Sequence, residues 1–113
     1  GEDAMSENRD TLERLYDTIL SRKGGDPAVS HSAKLFAKGR AKIAQKMGEE
    51  AVEVAIAAVS EPRDAIVSES ADLVFHLLVL WAECGITIDE VRAELTRREG
   101  QSGIDEKKAR QLT

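Results

Sequence analysis

Two matched pairs of carboxylates stand out in this sequence. Glu50 and Glu53 form one, Glu69 and Asp72 the other, each three residues apart in stretches otherwise rich in Ala, Val and Leu. On a helix that spacing puts both side chains on one face, about 5–6 Å apart at Cβ. Two such pairs on neighbouring helices can converge. A buried carboxylate without a partner costs several kcal/mol or neutralises itself through a shifted pKa, and four together also repel. Such a cluster demands positive charge, either from Lys and Arg side chains or from a bound cation. No basic residue lies within a turn of Glu69 or Asp72. Hard oxygen ligands suit Mg²⁺, or Mn²⁺, better than Zn²⁺. Mg²⁺ held by few carboxylates keeps open positions that phosphate oxygens fill. The competing reading is a solvated acidic face. It fits Glu69 and Asp72 poorly, because apolar residues surround them, and stays open for the adjacent Glu49. His76, one turn after Asp72, reads as a hydrogen-bonded structural residue that at most orients a ligand.

A basic run precedes the acids. Lys34, Lys38, Lys42 and Lys46 recur every four residues, joined by Arg40, with no acid from Ala33 to Met47. This is either a solvated face, with Lys46 pairing to Glu50 across one turn, or an attractor for a polyphosphate. On the second reading the phosphate-binding candidates are Lys34, Lys42 and Lys46. Arg98 joins them from the C-terminal stretch Arg97–Gly103, which either closes over a ligand or frays as a charged tail.

These side chains need helices to hold them. Long stretches of Ala, Leu, Glu and Lys, little β-branched alternation and only two Pro predict an all-α chain without a sheet. Leu12, Leu15, Tyr16, Ile19 and Leu20 mark one helical face, stopped by Gly24 and Gly25. Ser32 is expected to cap a short helix ending at Lys38, before Gly39. A third helix is predicted over about 40–59 and ended by Pro62, and a fourth from Pro62 or Arg63 to Glu83, ended by Gly85. A fifth starts at Thr87, which with Glu90 forms a capping box, and fades near Glu99. A last turn is expected over 106–110. At 100° per residue the third helix places Ile43, Met47, Ala51, Val54, Ala55 and Ala58 on its apolar face, with Glu50 at the edge.

The two long helices read as an antiparallel hairpin, the unit of a helical bundle. From Ala71 to Ala82 only Asp72 and His76 are polar, so a small bundle leaves part of that helix uncovered, and a homodimer is expected to complete it. One domain over residues 6–113 is expected, with residues 1–5 set aside as a leader or remnant.

Composition removes several function classes. With 42% hydrophobic residues the chain can close a core, so general disorder is excluded. A net charge of −5 argues against non-specific binding to nucleic acid or anionic membranes. The single Cys84 lacks the partners that a disulfide or zinc cluster needs and reads as structural. The longest apolar runs, among them Leu77 to Ala82, are far too short to span a bilayer, and a cytoplasmic location is expected. A carboxylate di-iron bundle would need Glu-x-x-His pairs, and the sequence has none.

Glu50-x-x-Glu53 and Glu69-x-x-Asp72 on consecutive helices resemble the paired signature of the all-α MazG-like nucleoside triphosphate pyrophosphohydrolases. More narrowly, the segments Lys46–Val54 and Glu69–Leu80 resemble those of the phosphoribosyl-ATP pyrophosphohydrolases of histidine biosynthesis. So do Ser30–Leu35, and Arg98 followed by Ser102-Gly103 and Glu106-Lys107. The similarity covers nearly all of residues 12–110, and is expected to be to the stand-alone form rather than the fused bifunctional one. His31 and Phe75 stand where that family often carries Tyr, so no substrate role is assigned to His31.

The resemblance implies Mg²⁺-dependent hydrolysis of phosphoribosyl-ATP to phosphoribosyl-AMP and pyrophosphate. Glu50, Glu53, Glu69 and Asp72 would hold the metal, and Glu49 would serve as a further metal contact or water-orienting base. Lys42 and Lys46 would bind phosphate. The alternatives are a house-cleaning pyrophosphohydrolase acting on other nucleoside triphosphates, or a non-catalytic helical dimerisation module.

Overall fold

The computed structural model describes residues 2–101, with side chains from Thr11 onward. Among the described residues it is all-helical: α1 (Glu2–Arg22), α2 (His31–Lys38), α3 (Arg40–Ser60), α4 (Arg63–Cys84) and α5 (Ile88–Glu99). The turn expected over 106–110 lies outside them. The helix α1 runs back past Leu12, where its apolar periodicity begins, to Glu2.

Local chemistry sets the boundaries. Ser30, not Ser32, caps α2: its side chain accepts from the Ala33 backbone N–H at 3.2 Å, while Ser32 is buried in the first turn. Gly39 separates α2 from α3 with φ +90°, a left-handed backbone that favours glycine, so the two helices do not continue as one rod. Pro62 opens α4, and Gly85 closes it in an αL cap. The capping box of Thr87 and Glu90 starts α5 as expected.

The α3–α4 hairpin is the frame, and its two helices form the most extensive packing in the molecule. The short turn around Glu61 makes them antiparallel. Glu50 and Asp72 each stand eleven residues from Glu61, which brings them to the same level. At the end of the hairpin away from the turn, Ile43, Leu78, Val79 and Ala82 meet Tyr16 and Ile19 from α1 and Leu35 from α2 in the buried core. Ile19, Ile43 and Val79 are fully enclosed, each contributing about 1.5–3 kcal/mol by burial. The Tyr16 hydroxyl donates to the Ile86 carbonyl, tying α1 to the end of α4. Burial, and secondarily Glu90, raise the Tyr16 pKa above its ordinary value and keep it a donor. An ion pair from Arg92 to Glu13 at 2.8 Å fastens α5 to α1.

One register differs from expectation. The more buried stripe of α3 runs through Ile43, Met47, Glu50, Val54 and Ala57, so Glu50 lies at its middle rather than its edge. Ala55 and Ala58 face outward instead. By length and composition α4 could cross a membrane, but it carries Glu69, Asp72 and His76 along the hairpin.

Candidate active site

Halfway along the hairpin, α3 contributes Glu50 and α4 contributes Glu69 and Asp72. One carboxylate oxygen from each of the three lies within 4.8 Å of the others. Glu50 is buried, Glu69 half-buried and Asp72 exposed, so the cluster opens from the interior to solvent. Lys46 Nζ, one turn before Glu50, lies 3.4 Å from its Oε1. The other Glu50 oxygen, Oε2, is buried without a hydrogen-bond partner, and so is Glu69 Oε2. Buried polar atoms of this kind are rare in folded proteins and point to an uncompensated site.

Glu53 stands at the exposed rim. Hydrogen bonding to Glu50 and repulsion from it, followed by desolvation and the charge of Glu69, raise its carboxyl above the ordinary value. Glu53 is thus coupled to Glu50 and Glu69, while Glu50, Glu69 and Asp72 close into a ligand-sized group. Lys46 alone does not balance them. The donor set fits a hard divalent cation: all ligand atoms are carboxylate oxygens, two buried oxygens lack protein partners, and one side is open.

His76 deepens the site. It is 7% exposed, and neither ring nitrogen has a hydrogen-bond partner. Desolvation lowers its pKa, with Lys46 and His31 adding to that and Glu50 and Asp72 opposing it. It is therefore a neutral imidazole with one donor and one acceptor left over beside the acids. The expectation of a hydrogen-bonded structural histidine does not hold among the described residues. Its spacing of seven from Glu69 was the available signal, since that places both on one side of α4.

Next to the acids, α2 and α3 enclose a groove of about 620 Å³, bounded by His31, Lys38, Lys42, Lys46 and Glu49. Lys42 and Lys46 line it as the charge spacing suggested. Lys34 does not; Lys38 takes that place. The Gly39 break rotates α2 against α3, so the four-residue ladder does not continue straight through it. Glu49 also faces the groove, where its Oε2 accepts from Gln45 Nε2 at 3.1 Å, and it stands outside the three-acid group. His31, left without a role by its sequence, lies on the groove wall with its ring stacked on Phe75. Arg98 is held in α5, with Nε 2.9 Å from Glu94 Oε2, and does not line the groove. The remainder of the C-terminal stretch expected to close over a ligand, residues 102 onward, lies outside the described part.

Comparison with known proteins bears on this arrangement. The family described as phosphoribosyl-ATP pyrophosphohydrolase matches residues 12–99. A phosphoribosyl-ATP pyrophosphatase of Paramagnetospirillum magneticum is 61% identical over 106 residues, covering 94% of this chain and 97% of the relative. Proteins of the same name from Gluconobacter oxydans and Rhodospirillum rubrum are each 58% identical over 99 residues, covering 88% of this chain and 74% and 85% of theirs.

Proposed function

The chain belongs to the phosphoribosyl-ATP pyrophosphohydrolase family and is an enzyme of that class, and on this premise we propose that it hydrolyses phosphoribosyl-ATP to phosphoribosyl-AMP and pyrophosphate, with Mg²⁺, in the second step of histidine biosynthesis. In that reaction water adds across the α–β anhydride. One P–O bond forms as another breaks, and inorganic pyrophosphate leaves.

The observation that carries the reading is the meeting of Glu50, Glu69 and Asp72 around buried oxygens with no protein partner, beside a cationic groove. Glu50, Glu53, Glu69 and Asp72 would hold Mg²⁺, and the same oxygen set suits Mn²⁺. A cation bound there supplies neutralisation of phosphate charge and a water of lowered pKa. The chain does the rest. Lys46 orients Glu50 through their ion pair and presents a positive charge to the anhydride. Glu49, fixed by Gln45, faces the groove as the group to orient attacking water. Lys42 lines the same wall one turn further from the acids.

Pyrophosphate release from phosphoribosyl-ATP, with and without Mg²⁺ and with ATP as control, tests this directly. Mg²⁺-dependent release from phosphoribosyl-ATP alone is expected. Equal turnover of ATP would indicate a house-cleaning enzyme, and no turnover of either a non-catalytic module.

The working unit in this reading is a homodimer in the cytoplasm, with a small-molecule nucleotide as its other partner and no nucleic acid or membrane. At the turn end of the hairpin Val52, Ile56 and Val59 of α3 and Val67 of α4 are between 52% and 86% exposed. A second copy would cover such a face. Light scattering coupled to gel filtration is expected to give twice the chain mass.

A further inference from the structure

The groove between α2 and α3 extends beyond what the reacting anhydride requires. Lys46 belongs to the acid end through its pair with Glu50. Lys42 lies one turn further along, about 6 Å on the helix axis. Lys38 lies beyond it, across the Gly39 break on the last turn of α2, and lines the same groove. Among the described residues neither outer lysine has an acidic partner. Lys42 Nζ reaches only the neutral Gln45 Oε1, at 3.4 Å, and Lys38 forms no ion pair among those residues. Two unpaired cations on one wall repel each other and attract an anion.

A pyrophosphate group engaged at the acids has Lys46 within reach, which leaves the charge of Lys38 and Lys42 for something else. The geometry points to Lys38 and Lys42 as a specificity pair that takes a second phosphate, a monoester at the end of the nucleotide opposite its polyphosphate. This rests on the proposed function above. Phosphoribosyl-ATP has such a group, on the ribose attached to the base, and ATP does not. The groove therefore discriminates by the charge at its far end rather than by the reacting group. Its volume falls within the roughly 300–1,000 Å³ usual for small-molecule sites. Lys38 enters this role because of the backbone: Gly39, at φ +90°, sets the angle at which α2 stands against α3.

The test compares wild type, Lys38→Ala, Lys42→Ala, the double variant and Lys42→Arg, with Arg14→Ala on α1 as a control matched in charge to the single variants. For each, kcat and KM are measured with phosphoribosyl-ATP, and inhibition constants with inorganic pyrophosphate and with ATP. Wild-type turnover of phosphoribosyl-ATP is read first, and its absence overturns the proposed function itself. With that turnover present, the double variant is expected to lose about 10- to 100-fold in kcat/KM, mostly through KM, as removal of charge-assisted hydrogen bonds implies. Inhibition by pyrophosphate and ATP should stay unchanged, Lys42→Arg should retain most of the wild-type value, and Arg14→Ala should match wild type. The inference is overturned if the double variant matches wild type. It is equally overturned if pyrophosphate and ATP weaken in parallel, which would assign these lysines to the polyphosphate, or if Arg14→Ala loses as much, which would reduce the effect to net charge.

Discussion

Glu94 and Glu50 are both glutamates on amphipathic helices of this chain, and they sit in opposite electrostatic conditions. Glu94 on α5 is clasped by Arg97 at 2.6 Å and Arg98 at 2.9 Å, hydrogen bonds that lower its pKa to about 2. Glu50 on α3 shares one lysine, keeps a buried oxygen with no partner, and raises the pKa of its neighbour Glu53. The first carboxylate is satisfied within its own helix, one turn away. The second is not, although three further acids crowd it. Acids that complete their pairing locally stabilise a surface. Acids brought together from two helices without matching bases can hold a cation that the chain does not itself supply.

The sharpest way to break this contrast is to neutralise one acid of the cluster without changing its shape. Glu69→Gln is expected to lower turnover of phosphoribosyl-ATP by about 10²–10³-fold, the scale on which a single electrostatic stabiliser of a reacting group acts. The fold should survive, and the cation-free protein should be no less stable, because one repelling charge is gone. Steady-state kinetics with thermal unfolding in EDTA checks both parts. Unchanged turnover would return these acids to the class of surface charge.

A second measurement compares the two regions in one experiment. Mg²⁺ at 100 times its Kd should stabilise the wild type by about 2.7 kcal/mol. For a domain of this size that is a rise in Tm on the order of 10 °C. The rise should vanish in Glu69→Gln and persist in Glu94→Gln. Next in size, the unpartnered ring nitrogens of His76 are free to engage the acids once a cation is bound, so His76→Leu should weaken Mg²⁺ binding by about 10- to 100-fold. Titration calorimetry gives that value independently of turnover. Binding at wild-type strength would confine His76 to packing.

The parts of this contrast that were legible in the sequence are those set within a turn or two of chain. The three-residue spacing of the acids, the Thr87–Glu90 capping box and the stop at Gly85 depend on near neighbours, and each lies where expected. The central position of Glu50 was not legible. A helical wheel weighs apolar residues equally, and it cannot tell that Ala55 and Ala58 are left bare while Ala57 is enclosed by α4. Nor could a charge ladder of period four show that Lys38 would line the groove and Lys34 would not, because Gly39 interrupts the helix on which that period is counted. Arg98 stands apart from the groove for a related reason: its partner Glu94 is one turn back on its own helix.

The smallest effect lies on the satisfied side of the comparison, in the acid range. The Glu94 carboxyl has an ordinary value of 4.5 and a folded value of about 2, because Arg97 and Arg98 hydrogen-bond its charged form. Between those limits the unfolded chain binds a proton that the folded chain does not, so stability rises with pH there. The contribution is fully present above 4.5 and is lost as pH falls toward 2. Both arginines are about half exposed, so solvent screens the pairs and the effect is modest. Glu94→Gln should flatten the slope of urea-unfolding stability between pH 4.5 and 2 while leaving Mg²⁺ binding and turnover as in wild type. The difference between variant and wild type removes the contribution of the other titrating carboxylates, which both proteins share. If the two slopes coincide, the arginine pairs add nothing to the folded state, and a carboxylate that looks fully satisfied is no better placed than one in water.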